Sequence, residues 1–421
     1  MRWVVLTQYF SPEIGAPQVR LGAMVRELVR LGHDVEVVTA LPNYPTGRIL
    51  EEYRGGFYRR DSWHGITVHR VWLYPSLGVG FGRMANYLSF VLTLPFGLMR
   101  ATRPDFVFAE SPPLFLGIHG VLMSRLWRAR LIFNVADLWP DSVRELGILR
   151  DGLTLRLAAR LERWIYRHAH FVNAVTEGIR STLINQKAVP AEKVLFLPNG
   201  VDTELFAPRE PNRELRRTLG LDGRKVLLYA GTVSVAQRLD VALDAMEILR
   251  RDHPDVVLVL MGDGSDKARL QREAGRRGLD DVVIFLEPGP PESVAQLYTL
   301  AHAGFASLRD LPLFDGARPS KILPPMAAGR PVIYSGAGEG ARVIERAKAG
   351  IVVPPENAVR LAEAVRRLIE DPAYASQLGR NARQFAEREC GWDKLIPPWV
   401  DALMERCAAK PKSTAATRTG R

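Results

Sequence analysis

Residues 318–335 read Arg-Pro-Ser-Lys-Ile-Leu-Pro-Pro-Met-Ala-Ala-Gly-Arg-Pro-Val-Ile-Tyr-Ser. A Ser at a helix N-cap followed by a Lys in the first turn sets an ammonium beside unpaired backbone N–H groups and the positive end of the helix dipole. That combination suits an anion, a phosphate above all. Ser320 and Lys321 are therefore the first candidates. Ala327 and Ala328 let the helix pack closely, and Gly329 ends it before a strand at Pro331–Ser335.

Two carboxylates close apolar runs earlier in the chain, Glu110 in Ala109-Glu110-Ser111-Pro112-Pro113 and Asp137 in Val135-Ala136-Asp137-Leu138-Trp139-Pro140-Asp141. At the carboxyl ends of neighbouring strands they stand where a general base or an acceptor-orienting group belongs. Asp141 equally suits a helix cap. Small residues mark places where a ligand can approach the backbone closely. They are Gly15 and Ala16 just before Pro17, Gly231 and Thr232 after a strand with Arg238 the nearest cation, and Gly262 in the turn Met261–Gly264. Glu339, in Gly336-Ala337-Gly338-Glu339-Gly340, precedes a helix and suits a hydroxyl.

The elements that must position these residues alternate: short β-branched runs, then amphipathic runs of helical period. This is the signature of βα units on a parallel sheet. Strands are expected at Trp3–Thr7, Val35–Thr39, Thr67–Trp72, Asp105–Ala109, Arg130–Asn134, His170–Ala174 and Val194–Leu197. The pattern starts again with Lys225–Ala230, Val256–Met261, Val282–Leu286, Ala303–Ser307, Pro331–Ser335 and Ile351–Val353. Between the halves Pro198–Pro208 is rich in turn formers and reads as a hinge. The expectation is α/β, two doubly wound Rossmann-like domains facing a central cleft: 1–198 on the acceptor side, 199–391 on the donor side. A helix at 392–407 crosses back onto the first domain, and 408–421 form a disordered basic tail.

Composition sets limits. At 421 residues, 47% hydrophobic and 24% charged, the chain is long enough for two cores and ordinary for a globular protein. Of its net charge of +11, four charges (Lys410, Lys412, Arg418, Arg421) lie in the acid-free tail, so the folded part is still basic. Two cysteines, Cys390 and Cys407, are too few for a disulfide framework and fit a reducing compartment. The run Trp3–Leu6 reads as a strand rather than a signal peptide, and no apolar stretch is long enough to span a bilayer. No aromatic-basic module points to nucleic acid.

Taken together, Gln8–Pro17, Asp137-Leu138-Trp139-Pro140, Pro198-Asn199-Gly200-Val201-Asp202, Tyr229-Ala230-Gly231, and Pro319-Ser320-Lys321 with Met326–Pro331 resemble the family-4 retaining glycosyltransferases of GT-B fold. The branch most alike includes bacterial L-fucosamine transferases of O-antigen and capsule assembly. The resemblance spans nearly the whole chain except the tail. It implies transfer of a sugar from a nucleotide diphosphate donor, a UDP N-acetylated sugar, with retention at the anomeric carbon. The acceptor would be lipid-linked or a glycan, and neither a metal nor a cofactor is implied. The diphosphate would lie near Lys321 and the Gly15 loop, and the base near Leu286 in the Phe285–Pro288 turn. Two departures stand out. Thr232 and Gln237 occupy the places of a family Arg and Lys, and the family's paired glutamates fall at Gly316 and Pro324.

Those departures keep a second reading in view, a degenerate homologue that binds a nucleotide sugar or a partner transferase without turnover. A GT-B nucleotide-sugar epimerase is a third, against which the Asp137 and Lys321 segments argue. Arg156, Arg160, Arg163 and Arg167 recur at three- and four-residue spacing on one helix, and Met84–Met99 is apolar. Both features favour peripheral attachment to an anionic membrane, on the cytoplasmic face.

Overall fold

A computed structural model describes residues 1–13, 15–44, 46–76, 81–145 and 152–408. The basic tail from residue 409 lies outside the described residues. Eight strands form the first sheet: β1 (Arg2–Leu6), β2 (Asp34–Ala40), β3 (Tyr58–Trp63), β4 (Ile66–Val71), β5 (Phe106–Ser111), β6 (Arg130–Val135), β7 (Phe171–Ala174) and β8 (Val194–Phe196). Six form the second: β9 (Lys225–Ala230), β10 (Val256–Met261), β11 (Val283–Leu286), β12 (Ala301–Ser307), β13 (Val332–Ser335) and β14 (Gly350–Val353). Their orders are β3-β4-β2-β1-β5-β6-β7-β8 and β11-β10-β9-β12-β13-β14, and every pairing is parallel except β3 with β4.

The central parallel strands form because they are apolar runs that helices cover on both faces. Val-Val-Leu-Val-Leu-Met of β10, for instance, is buried at every position. Over the first sheet the helices Phe81–Leu98, Leu116–Trp127 and Leu153–His168 pack on one face, and Ala16–Arg30 with Trp392–Ala408 on the other. Strand order reverses between β1 and β5 and again between β9 and β12. The carboxyl ends at those two reversals open the crevices where doubly wound folds bind ligands.

Three local features depart from the sequence expectation. Strand β3, Tyr-Arg-Arg-Asp-Ser-Trp, was not expected, because charged residues on an unpaired edge do not read as a strand. Its turn, His64-Gly65, has positive φ at both positions and is the signal that marks the hairpin. A short helix at Arg213–Thr218 was also not expected, and Asp141, offered as a helix cap, is the first residue of a short helix, Asp141–Glu145. The expected Ser320 helix is a 3₁₀ turn, Ser320–Ile322, followed by a five-residue α-helix, Leu323–Ala327, and Ser320 caps nothing. Pro324 and Pro325 have no N–H to give to the carbonyls of Ser320 and Lys321, so α-helical bonding cannot begin there.

The chain crosses between the lobes twice, side by side. Val201 N–H donates to the Cys390 carbonyl at 2.8 Å, and a side chain at Gly200 would run into Trp392. Beyond that point Trp392–Ala408 returns to the first lobe. There Trp399 packs on Trp3 and its Nε1–H donates to Asn173 at 2.9 Å.

Candidate active site

At the carboxyl end of the second sheet, the loops after β9 and β10 lie against each other. Gly231 N–H donates to the Met261 carbonyl at 2.9 Å. Gly231 and Gly262 both have φ near +147°, and a Cβ at Gly262 would overlap the Gly231 carbonyl oxygen. Only glycine meets both demands. This floor carries the side chain of Lys321, whose aliphatic stem runs along Gly231 and whose Nζ sits 5.9 Å from the centre of the Tyr229 ring. Among the described residues no carboxylate pairs with that ammonium. Burial lowers its pKa from 10.5 to about 8. An enclosed cation without an internal counter-ion, bordered by bare backbone, is prepared for an external anion.

Across the cleft stand the first-lobe loops. Glu13, buried in the loop after β1, accepts N–H bonds from Phe10 (3.2 Å), Asn43 (2.8 Å) and Tyr44 (2.9 Å), tying that loop to the one after β2. Burial pushes its carboxyl up to about 7 against those bonds. Sequence reasoning passed over Glu13. Its signal was an acid inside the first βα loop. Burial raises the phenol of Tyr44, and Asp263 of the second lobe raises it further, so the two lobes face each other here. Gly15 precedes the helix that Ala16 opens, with no side-chain cap on that helix. The φ of Gly15 is extended, so no backbone strain selects glycine.

Asp137 follows β6, an exposed residue whose carboxyl is crowded by the loop around it. Its Oδ2 accepts from Ser142 Oγ at 3.0 Å, and burial raises its carboxyl. Glu110, expected as a base or an acceptor-orienting group, is engaged through both oxygens. One oxygen takes a buried ion pair from Arg20, the other a 2.8 Å bond from Asn134. Asn134 in turn accepts from Asn173 at 2.6 Å, and Arg20 reaches Asn199 at 3.1 Å. Glu110 thus belongs to a polar ladder across β5, β6 and β7 that ends on Trp399 and the hinge. Arg238 is likewise paired, with Glu356 at 3.1 Å and Asp240 at 3.0 Å. Thr232 is exposed and offers its carbonyl to the Tyr229 hydroxyl, while the Leu286 carbonyl accepts from Gly262 N–H at 3.2 Å.

Glu339 is buried and reaches into the first lobe, where one oxygen accepts from Gly178 N–H at 3.0 Å in the first turn of the helix Glu177–Asn185. Beside it Gly178 and Gly316 meet so closely that a Cβ on Gly178 would overlap Gly316. No sequence signal pointed to this contact, because its two halves lie far apart in the chain. Among the described residues no three His, Cys, Asp or Glu side chains converge to hold a metal.

Two family patterns match the chain in succession: the Glycosyl transferase 4-like domain over residues 15–200 and Glycosyl transferases group 1 over residues 211–385. The chain is a GT-B glycosyltransferase of family 4. Its similarity to the putative colanic acid biosynthesis glycosyl transferase WcaI of Escherichia coli K12 is 28% identity over 420 residues, covering 96% of this chain and all of that one. A D-inositol 3-phosphate glycosyltransferase of Streptomyces bingchenggensis is 28% identical over 81% of this glycosyltransferase and 76% of its own length. Among solved structures, sucrose-phosphate synthase from Thermosynechococcus elongatus superposes with a TM-score of 0.76 at 18% identity, over 97% of this chain and 100% of that one. Anabaena Alr3699/HepE in complex with UDP-glucose does so with a TM-score of 0.73 at 20% identity, over 96% and 100%. Those two likenesses establish the fold of this glycosyltransferase.

Proposed function

We propose that the chain moves an N-acetylated sugar from a UDP donor to a lipid-linked or glycan acceptor, with retention, in assembly of a cell-envelope polysaccharide such as lipopolysaccharide or capsule. The observation that carries this reading is the Lys321 ammonium, unpaired with any carboxylate among the described residues, over the Gly231 and Gly262 floor. As the bond between sugar and diphosphate breaks, negative charge grows on the departing phosphate oxygens. A cation already fixed and poorly solvated lowers the energy of that state more than that of the bound donor. Lys321 does this without a metal. In this reading the Gly15 and Ala16 helix start takes the other side of the diphosphate. Asp137, its carboxyl raised by burial, stands at the acceptor side to orient a hydroxyl and take its proton. Ser320 and Glu339 border the donor, and Glu339 exchanges its Gly178 bond for a sugar or ribose hydroxyl when the donor enters.

The colanic acid biosynthesis for which the E. coli relative is named supports the polysaccharide pathway, and the UDP-glucose bound to the Anabaena neighbour supports the donor class. The amino-sugar donor rests on the sequence resemblance alone. A lipid-linked acceptor puts the protein on the inner face of the plasma membrane, held peripherally. No helix among the described residues is long and apolar enough to cross a membrane. A second reading, binding without turnover, is favoured by Pro324 and Gly316 standing where the family keeps glutamates.

The test is incubation with a panel of nucleotide sugars and a lipid-linked acceptor, reading nucleotide release and the anomeric configuration of the product by NMR. UDP release with a retained anomer is expected. Tight donor binding with no release by any sugar supports the degenerate reading, and an inverted anomer overturns the retaining one.

A further inference from the structure

The outer face of the first lobe carries a surface that the cleft does not use. The helices Phe81–Leu98, Leu116–Trp127 and Leu153–His168 lie side by side there, the second between the other two, with Gly117 packed on Ile165. Inward they fill the core with Phe90, Leu94, Val121 and Ile165. Outward the first presents Leu88, Leu92 and Phe96 at four-residue spacing, with Met99 just past its end. The second presents Leu122 and Leu126, and the third Leu153 and Leu157. Leu92, Met99, Leu126 and Leu153 are each 70–76% exposed. Isolated exposed leucines are ordinary, but three adjacent helices contributing together form a contact patch.

Charge identifies the partner. In segments 81–103, 115–130 and 152–168 the single carboxylate is Glu162, which is buried and accepts from Tyr166 and Lys187. Around the apolar stripe Arg100, Arg125, Arg128, Arg156, Arg160 and Arg163 are exposed, and no carboxylate among the described residues pairs with them. At the edge of this face, where β6 and β7 begin, a cavity of about 450 Å³ is lined by Arg130, Arg167, Lys193 and Arg406, again without a carboxylate.

We propose that this face lies on an anionic phospholipid bilayer. Its leucines enter the boundary between headgroups and acyl chains, its arginines meet lipid phosphates, and the cavity seats a headgroup phosphate. A second copy of the chain would bring one arginine rim against another, which like-charge repulsion opposes. The inference rests on the peripheral, lipid-linked reading above and gives it a surface. Crossover helices run back against their strands, so the face reaches the cleft at its Phe81 end. Phe81 is 90% exposed there, and Arg83 stacks on Tyr9 and Tyr87 of the cleft wall.

Co-sedimentation with vesicles of equal parts phosphatidylglycerol and phosphatidylcholine, compared with pure phosphatidylcholine, tests it. The wild-type protein is expected to pellet with the anionic vesicles and to be released by salt. Leu92→Glu with Leu126→Glu, and separately Arg156→Gln with Arg160→Gln and Arg163→Gln, should each lower partitioning by about tenfold or more. Both variants should keep wild-type donor affinity in calorimetry, which shows that they remain folded. Pelleting that persists in a protein with no affinity for any nucleotide sugar sinks the transfer reading and leaves the surface standing. Wild-type protein that stays in the supernatant at low salt overturns the proposal. So does pelleting unchanged in both variants, or a dimer that the leucine substitutions abolish.

Discussion

Lys321 concentrates the chemistry in one titration. Its ammonium is lowered to about 8 by burial, and a bound diphosphate favours the charged form, so the complex holds a proton that the free protein loses. Donor affinity should therefore be flat below pH 8. Above it, affinity should weaken by roughly tenfold per pH unit until the complex itself deprotonates. Calorimetry across pH 6.5–9.5 reads this directly, and Lys321→Arg, charged throughout, should remove the dependence. Glu110 makes the opposite point. Glu110→Gln strips the buried Arg20 of its partner, which costs about 3–5 kcal/mol of stability. Turnover per folded molecule should be retained, and urea unfolding beside a specific-activity measurement separates the two. The loop that carries Lys321 was legible in the sequence because its neighbours mark it. The pairing of Glu110 and Arg238 was not, because Arg20 and Glu356 are brought close to them only by the fold.

Among the elements, the parallel strands were legible because a strand covered on both faces is a continuous apolar run, as β10 shows. Strand β3 was hidden by its charged edge, and the Ser320 segment was misjudged as a helix because the effect of two consecutive prolines falls on the turn before them. The meeting of Gly178 with Gly316 leaves no sequence trace, yet it brings the backbones of the two lobes into contact. Gly178→Ala should force them apart and turn the Glu339 carboxylate out of its bond to the backbone. A larger radius of gyration in X-ray scattering and a lower kcat at unchanged unfolding midpoint are expected. An unchanged radius would show that the contact does not govern closure.

For the molecule as a whole, two lobes are joined by paired crossings at Val201 and Cys390 and by the return of Trp392–Ala408 to the first lobe. Trp399 anchors that helix, between the Trp3 ring and the end of the ladder that begins at Glu110. Trp399→Ala should cost about 3–5 kcal/mol in urea unfolding, with loss of cooperativity between the lobes. The central claim is that a nucleotide sugar lies between these lobes with its diphosphate on Lys321. Calorimetric titration of UDP into the wild-type protein and Lys321→Ala at pH 7 tests it most directly. Binding to the first and at least about a hundredfold weaker binding to the second, the loss of a charge-assisted pair in an enclosed site, is the expected result. Equal affinity in the two proteins would contradict it.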